Sequence, residues 1–330
     1  MGARINRNTQ HGYKETQIQY ISNIINKYKP RYTKKTDSDK VHINVVISHP
    51  DKDHLNWIKD ILEKVGAPLK IRFLLGGEES KYQSTYPDLL DFIKKQHRTP
   101  DEIFAAKYPS IQSIILDFGR ETSCRILSAL TKDTITKLYG KERDEDECAN
   151  AQSIVLRIEH GNFSIILAGD ADRLTTTDII LRHTIQNTLE ELKATVLLAS
   201  HHGAFHEGCN ELAWLQSIHP HYCVLSCGYF SSWRHPRTPV IESILACCPD
   251  LETIGIHKIQ SFGEPQYGQI PPPKEIIMDK DGIKYQLFET VAGILSTMNQ
   301  KNIRISWSTA TASPKDIKVR YSTDEEYTKL

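Results

Sequence analysis

Apolar positions along this chain fall into two rhythms, short β-branched runs and three- or four-residue steps. The run from His42 to Ile47 predicts a buried strand. Leu55, Ile58, Ile61, Leu62 and Val65 then recur at helical spacing, with Gly66 as the stop. Leu69 to Leu75 predicts a second strand, closed by Gly76-Gly77. An earlier helix over 15–29 places Ile18, Ile21, Ile25 and Tyr28 on one face and ends at Pro30, before a polar linker over 31–40.

The same rhythm continues. Leu89, Leu90 and Ile93 mark a helical patch, and Ile111 to Phe118 and Cys124 to Leu130 predict strands. Residues 139–149 are a charge run, expected to be a solvated loop. Ser153 to Glu159 and Phe163 to Ala168 read as a hairpin joined by His160-Gly161-Asn162, which makes His160 a turn residue rather than a ligand. A helix over 179–189, a strand from Thr195 to Ala199, a helix from Glu211 to Ile218, a strand from His221 to Cys227 and a helix from Val240 to Ala246 follow. After a Pro-rich spacer at 270–274, Tyr285 to Ile294, Ile303 to Trp307 and Lys318 to Tyr321 read as strands, and the tail from Ser322 as frayed. Strands alternating with helices predict an α/β fold.

Composition narrows the class. The 330 residues are 39% hydrophobic and 25% charged, as in an ordinary globular protein. Lys+Arg and Asp+Glu both number 41, so net charge gives no support for gripping nucleic acid mainly by charge. No apolar run is long enough to span a bilayer, and the polar start lacks a signal-peptide core. The seven cysteines form no CxxC pair and read as small buried hydrophobes, which fits a reduced, cytoplasmic setting.

Candidate chemistry sits where strands end. The turn Ser48-His49-Pro50-Asp51-Lys52-Asp53-His54 follows the first strand and holds two imidazoles and two carboxylates. Gly169-Asp170 follows another strand, and Ser200-His201-His202-Gly203 a third; His235 lies in the loop beyond a fourth. In open α/β sheets, sites collect at the carboxyl ends of strands. This donor set suits divalent cations. Adjacent residues on a strand face opposite ways, so only one of His201 and His202 is expected to aim at the site unless the chain turns there.

These motifs resemble the metallo-β-lactamase-fold hydrolases, and most closely their ComEC/Rec2-like branch. Ser48 to His54 resembles that branch's His-x-Asp-x-Asp-His motif, and Asn150 to Leu156 its Asn/Ser-Val-Leu strand. Leu167 to Ala171 resembles its Gly-Asp motif, Ser200 to Ala204 its Ser-His-His-Gly-Ser, and Ser226 to Pro236 the segment ending in Gly-His-Pro. The resemblance covers residues 41–240, with 250–330 as closing strands and tail of one domain spanning 1–330. It implies an αββα four-layer sandwich. It also implies two divalent metal ions, zinc first and manganese second: His49 and Asp51 on one, Asp53 and His54 on the other, Asp170 bridging, and His202 completing the second. Asp53 and His235 are the catalytic candidates, His235 beside the substrate. The implied activity is hydrolysis by a dinuclear-metal-activated hydroxide. Phosphodiesters are the expected substrate, nucleic acid among them. A lactone or ester hydrolase and a catalytically silent interaction protein are the alternatives.

Three departures accompany the resemblance. Arg234 stands where Gly precedes His-Pro, and Ala204 where Ser follows His-His-Gly. The family's opening strands, which end in an Asp-x-Gly turn, have no counterpart, the chain starting with Met1-Gly2-Ala3 at or just after that turn; a sandwich lacking its first strands is expected, truncated or with another segment or a partner protein supplying them. An uncovered sheet edge would otherwise invite aggregation.

Overall fold

The computed structural model describes residues 7–27, 41–65, 69–96, 103–105, 115–117, 122–139, 145–205, 208–226 and 238–247, and six short C-terminal strands. In chain order the elements are α1 (Arg7–Lys27), β1 (Val41–Ile47), α2 (Lys52–Leu55), α3 (Ile58–Lys64), β2 (Leu69–Leu75), α4 (Glu79–Thr85), α5 (Pro87–Gln96), β3 (Ile115–Asp117) and β4 (Thr122–Ser128). Next come α6 (Lys132–Tyr139), α7 (Glu145–Ala151), β5 (Val155–His160), β6 (Phe163–Leu167), α8 (Arg173–Ile185), β7 (Val196–Leu198), α9 (Leu212–Ile218), β8 (Tyr222–Leu225) and α10 (Thr238–Cys247). The C-terminal strands are β9 (Lys258–Ser261), β10 (Glu275–Met278), β11 (Lys284–Glu289), β12 (Gly293–Ser296), β13 (Ile303–Ser306) and β14 (Lys318–Tyr321). The fold is mixed α/β.

Two sheets position the site. β1 and β2 pair in parallel, His42 opposite Lys70 and Ile47 opposite Leu75. The larger sheet runs β12-β8-β7-β6-β5-β4-β3. Its β12, β8, β7 and β6 are parallel, whereas β6-β5, β5-β4 and β4-β3 are antiparallel. The carboxyl ends of β6, β7 and β8 therefore share one edge.

Side-chain alternation assigns each sheet two faces. Ile43, Val45 and Ile47 of β1, with Leu69, Ile71, Phe73 and Leu75 of β2, pack with Leu62, Tyr82, Leu90 and Ile93 from the helices. The opposite residues, Val46 and Leu74, meet Cys124, Ile126, Ile154 and Leu156 of the larger sheet. On that sheet's far face, Val155, Ile166, Leu197 and Cys223 pack against Ile179, Trp214, Leu215 and Ile244. One backbone contact clamps the two sheets at the site: the Ile154 N–H donates to the Ser48 carbonyl at 2.9 Å. Gly76 makes this approach possible, because a Cβ there would sit 1.8 Å from the Ser48 oxygen.

Several sequence expectations change. The helix predicted to Val65 is two helices, because Trp57 takes a left-handed φ of 70° and turns the chain. The charge run does not stay a loop throughout: Glu145–Ala151 is α7, with Cys148 and Ala149 buried; its small residues supply the packing face. α8 begins at Arg173, six residues before the predicted start, because Asp172 caps it, accepting from the Leu174 and Thr175 N–H groups at 2.9 and 3.1 Å. The run from Tyr285 to Ile294 divides into β11 and β12, and β9 and β10 were not anticipated. The tail from Ser322 and the spacer at 270–274 lie outside the described residues.

Candidate metal centre

The site is a cluster of imidazoles and carboxylates at the carboxyl ends of β1, β6 and β7. Gly169, with φ of +56°, turns the chain at the end of β6 and directs Asp170 across to the first turn. Asp170 Oδ1 lies 3.1 Å from His54 Nε2. Its Oδ2 lies 3.8 Å from His49 Nε2, 3.8 Å from His201 Nε2 and 3.7 Å from His202 Nε2. Four imidazoles thus converge on one carboxylate. Asp51 approaches His49 Nε2 at 3.5 Å, and Asp53 approaches His202 Nε2 at 3.0 Å.

The structure therefore gathers His49, Asp51, Asp53, His54, Asp170 and His202. It also brings in His201. Both rings face Asp170, which strand alternation allows only if the chain turns there. The reason is local: Ser200–Gly203 is a tight 3-10 turn in which His201 and His202 take left-handed φ of 47° and 55°. His235 lies outside the described residues. His160 sits at the end of β5, its Nδ1 2.7 Å from Thr122 Oγ1, away from this cluster.

Polar partners hold the rings from behind. Ser48 Oγ lies 3.1 Å from His49 Nδ1 and 3.0 Å from His54 Nδ1. Ser153 Oγ lies 3.3 Å from His49 Nδ1 and accepts from the Asp170 N–H at 3.2 Å. His202 Nδ1 donates to the Ser226 carbonyl at 2.6 Å. Such contacts fix which nitrogen is left to face a ligand. Buried Asn210 braces the His-His turn, accepting from the Ser200 N–H at 2.9 Å and donating to the Ser200 and Ala204 carbonyls at 2.8 and 3.0 Å. The Ser200 hydroxyl donates to the Ala171 carbonyl, and the His201 N–H to the Gly169 carbonyl at 2.9 Å. Sequence reasoning gave Ser48, Ser153 and Asn210 no role. Ser48 and Ser153 stand inside motifs it quoted, and a polar residue at the buried end of an apolar strand was the available signal.

The electrostatics keep the carboxylates charged. Burial disfavours ionising Asp170, but the His54, His202 and His49 imidazoles outweigh it and hold its pKa far below the usual range. Burial likewise opposes Asp53, and the His202 hydrogen bond together with the His54 and His202 charges outweighs it, again lowering the pKa. The His49 contact lowers that of Asp51. Burial disfavours protonated His202, yet its bond to Asp53 and the Asp170 charge raise its pKa overall.

A cation fits this donor set. Among the described residues, six buried side-chain atoms have no hydrogen-bond partner, and three are His49 Nε2, His54 Nε2 and Asp170 Oδ1. At 3.1 Å, His54 Nε2 and Asp170 Oδ1 are close without hydrogen-bond alignment. An unmet buried polar atom costs about 1–3 kcal/mol. Three such atoms facing one point mark the place of a ligand they share. Donor atoms of His49, His54 and Asp170, and separately of Asp53, His54 and His202, lie within 4.8 Å of one another. That is slightly wider than the ~4 Å spanned by two metal–ligand bonds of about 2.1 Å.

No family model matches the chain. Over 111 residues, 34% of this chain, it is 27% identical to ComE operon protein 3 of Bacillus subtilis (strain 168). That stretch is 13% of the relative's own length, so the chain corresponds to a small part of that protein. Among solved structures, a mutant of the CmlA beta-hydroxylase is similar with a TM-score of 0.35 and 10% identity, over 62% of this chain and 40% of that one. Among the described residues no helix is long and apolar enough to cross a membrane. The chain is thus a distant sequence relative of ComE operon protein 3 over about a third of its length.

Proposed function

We propose that this chain is a metal-dependent hydrolase of the metallo-β-lactamase type, built as an αββα sandwich and acting on phosphodiester bonds. The observation that carries the reading is the convergence of buried His49 Nε2, His54 Nε2 and Asp170 Oδ1, which among the described residues have no hydrogen-bond partner. The layering of helices, two facing sheets and helices supports the sandwich. His49 and Asp51 would hold one cation and Asp53, His54 and His202 the other, with Asp170 offering a carboxylate oxygen to each. A chemically mixed set of nitrogen and oxygen donors suits zinc, with manganese as the alternative.

Bound divalent cations would supply a Lewis acid and a nucleophile ionised near neutral pH. The protein's own residues do the rest. Asp170 and Asp53, held ionised, offer ligand oxygens throughout the working range. An Asp so depressed is a poor proton carrier, which makes Asp53 a ligand more than an acid–base group. Ser48, Ser153 and the Ser226 carbonyl fix the ring orientations. Proton delivery to the leaving group is assigned to His235, which the resemblance sets beside the substrate.

Elemental analysis of the purified protein is expected to find about two cations per chain. Cleavage is expected on bis-p-nitrophenyl phosphate or single-stranded DNA, and to be abolished in Asp170→Ala. A protein that binds no cation would return the chain to the silent interaction reading. Cleavage of lactones in place of phosphodiesters would overturn the substrate class while leaving the metal site intact.

A further inference from the structure

Ser48 touches two imidazoles of the centre with one oxygen. Its single oxygen lies 3.1 Å from His49 Nδ1 and 3.0 Å from His54 Nδ1, and these rings lie tilted at 51° with centroids 4.3 Å apart. Its backbone carbonyl receives the Ile154 N–H from the larger sheet, so the residue sits at the junction of both sheets. We propose that the Ser48 hydroxyl is a positioning group shared by His49 and His54: its oxygen accepts the Nδ1 hydrogen of both rings and leaves both Nε2 lone pairs facing Asp170.

The chemistry balances. A hydroxyl oxygen has two lone pairs, and two imidazole N–H donors use both. A neutral ring with hydrogen on Nδ1 has its free lone pair on Nε2, the atom that on both rings has no hydrogen-bond partner among the described residues. One small side chain thereby fixes the tautomer of two ligands at once. The inference rests on the metal reading, because the Nε2 lone pairs matter only if a cation takes them.

The two rings do not depend on Ser48 equally. His49 Nδ1 has a second, longer contact at 3.3 Å, Ser153 Oγ. Among the described residues, the one hydrogen-bond contact of His54 Nδ1 is Ser48. His54 Nε2 is also the atom common to both candidate donor groups. Removing the hydroxyl should therefore free His54 more than His49 and weaken both sites. Loss of such an outer hydrogen bond costs metal affinity about 10–100-fold.

The test compares zinc binding by wild-type, Ser48→Ala, Ser48→Thr and Ser153→Ala protein, by competition against a chelator. In parallel, imidazole Nδ1–H proton exchange is followed by NMR in the zinc-loaded state. Ser48→Ala should lose about 10–100-fold in affinity and exchange the His54 Nδ1 hydrogen faster. Ser48→Thr, which keeps the oxygen, should restore both. Ser153→Ala should affect the His49 signal and leave that of His54 unchanged. Should Ser48→Ala fail to fold, the wild-type spectrum decides. A His54 Nδ1 hydrogen protected from exchange supports the assignment, and one exchanging at the rate of a solvent-facing ring overturns it. Wild-type protein that binds no zinc overturns the metal reading and this inference with it. Zinc binding that is equal in wild-type and Ser48→Ala protein overturns this inference alone.

Discussion

The two histidine-bearing turns reach the same carboxylate by opposite means. The first, Ser48 to His54, has ordinary backbone at its ligands and is held by side chains: Ser48 behind both rings and Ser153 behind one. The second, Ser200 to Gly203, bends its backbone into left-handed φ at both histidines and is braced by Asn210. Of six non-glycine residues with positive φ among those described, His201, His202 and Asn210 account for three. Strain is thus concentrated where adjacent residues must face one way, while the longer first turn can space its ligands without it. A non-glycine residue in left-handed backbone costs on the order of 1–3 kcal/mol. Such strain persists because the surrounding bonds over-determine it.

The sharpest way to break this comparison is to unseat the first turn without touching a ligand. Gly76→Ala would place a Cβ 1.8 Å from the Ser48 carbonyl oxygen and 2.9 Å from the Ile154 side chain. Neither backbone can yield without opening the Ser48–Ile154 hydrogen bond. The expected destabilisation is about 3 kcal/mol or more, read as a lower midpoint in urea unfolding. Metal affinity should fall with it, because Ser48 and His49 move together. A variant that kept both stability and affinity would show that the two sheets do not depend on this contact.

Asn210→Ala tests the second turn. It removes three hydrogen bonds and leaves the buried Ser200 N–H without its acceptor. The expected cost is about 1–3 kcal/mol. The effect should be local: the His202 contribution weakens, while the Nδ1 contacts of His49 and His54 stay as they are. The contrast with Gly76→Ala is then in the pattern of loss. Stability unchanged in urea, with metal affinity also unchanged, would mean that the turn holds its shape without this brace.

The sequence was uneven in what it made legible, for reasons the two turns illustrate. Strands β1, β2, β5 and β6 follow from β-branched runs, and the gathering of ligands at strand ends follows from parallel pairing on one edge. The first turn was readable because its donors are spaced through seven residues after a clear strand. In the second the pattern left open whether the chain turns at the two histidines, because left-handed backbone at a histidine has no signature in hydropathy. The break at Trp57 is hidden in the same way: Leu55 and Ile58 keep helical spacing across a reversal that only φ reveals. The supporting residues were hidden for another reason. Ser48, Ser153 and Asn210 act through partners that are 6, 104 and 10 positions away in some of their bonds, and pattern reading sees neighbours along the chain.

The smallest expected effect separates strain from ligation within the second turn. His201 and His202 share left-handed backbone, but their contacts differ. His202 donates to the Ser226 carbonyl at 2.6 Å and meets Asp53 at 3.0 Å. Two of the contacts of His201 are longer, 3.8 Å to Asp170 Oδ2 and 3.8 Å to Cys209 Sγ. Asn enters left-handed backbone more readily than His. In metal-free protein, His201→Asn should relieve strain at the loss of weak contacts, raising stability by about 0.5–1 kcal/mol. His202→Asn removes the imidazole that pairs with Ser226 and Asp53, so it should destabilise by about 1–2 kcal/mol. Thermal unfolding in excess chelator measures both. Opposite signs for these neighbours would show that strain dominates at His201 and bonding at His202. Equal losses would show that His201 is held as firmly as His202, and that the second turn is fixed by its side chains after all, as the first one is.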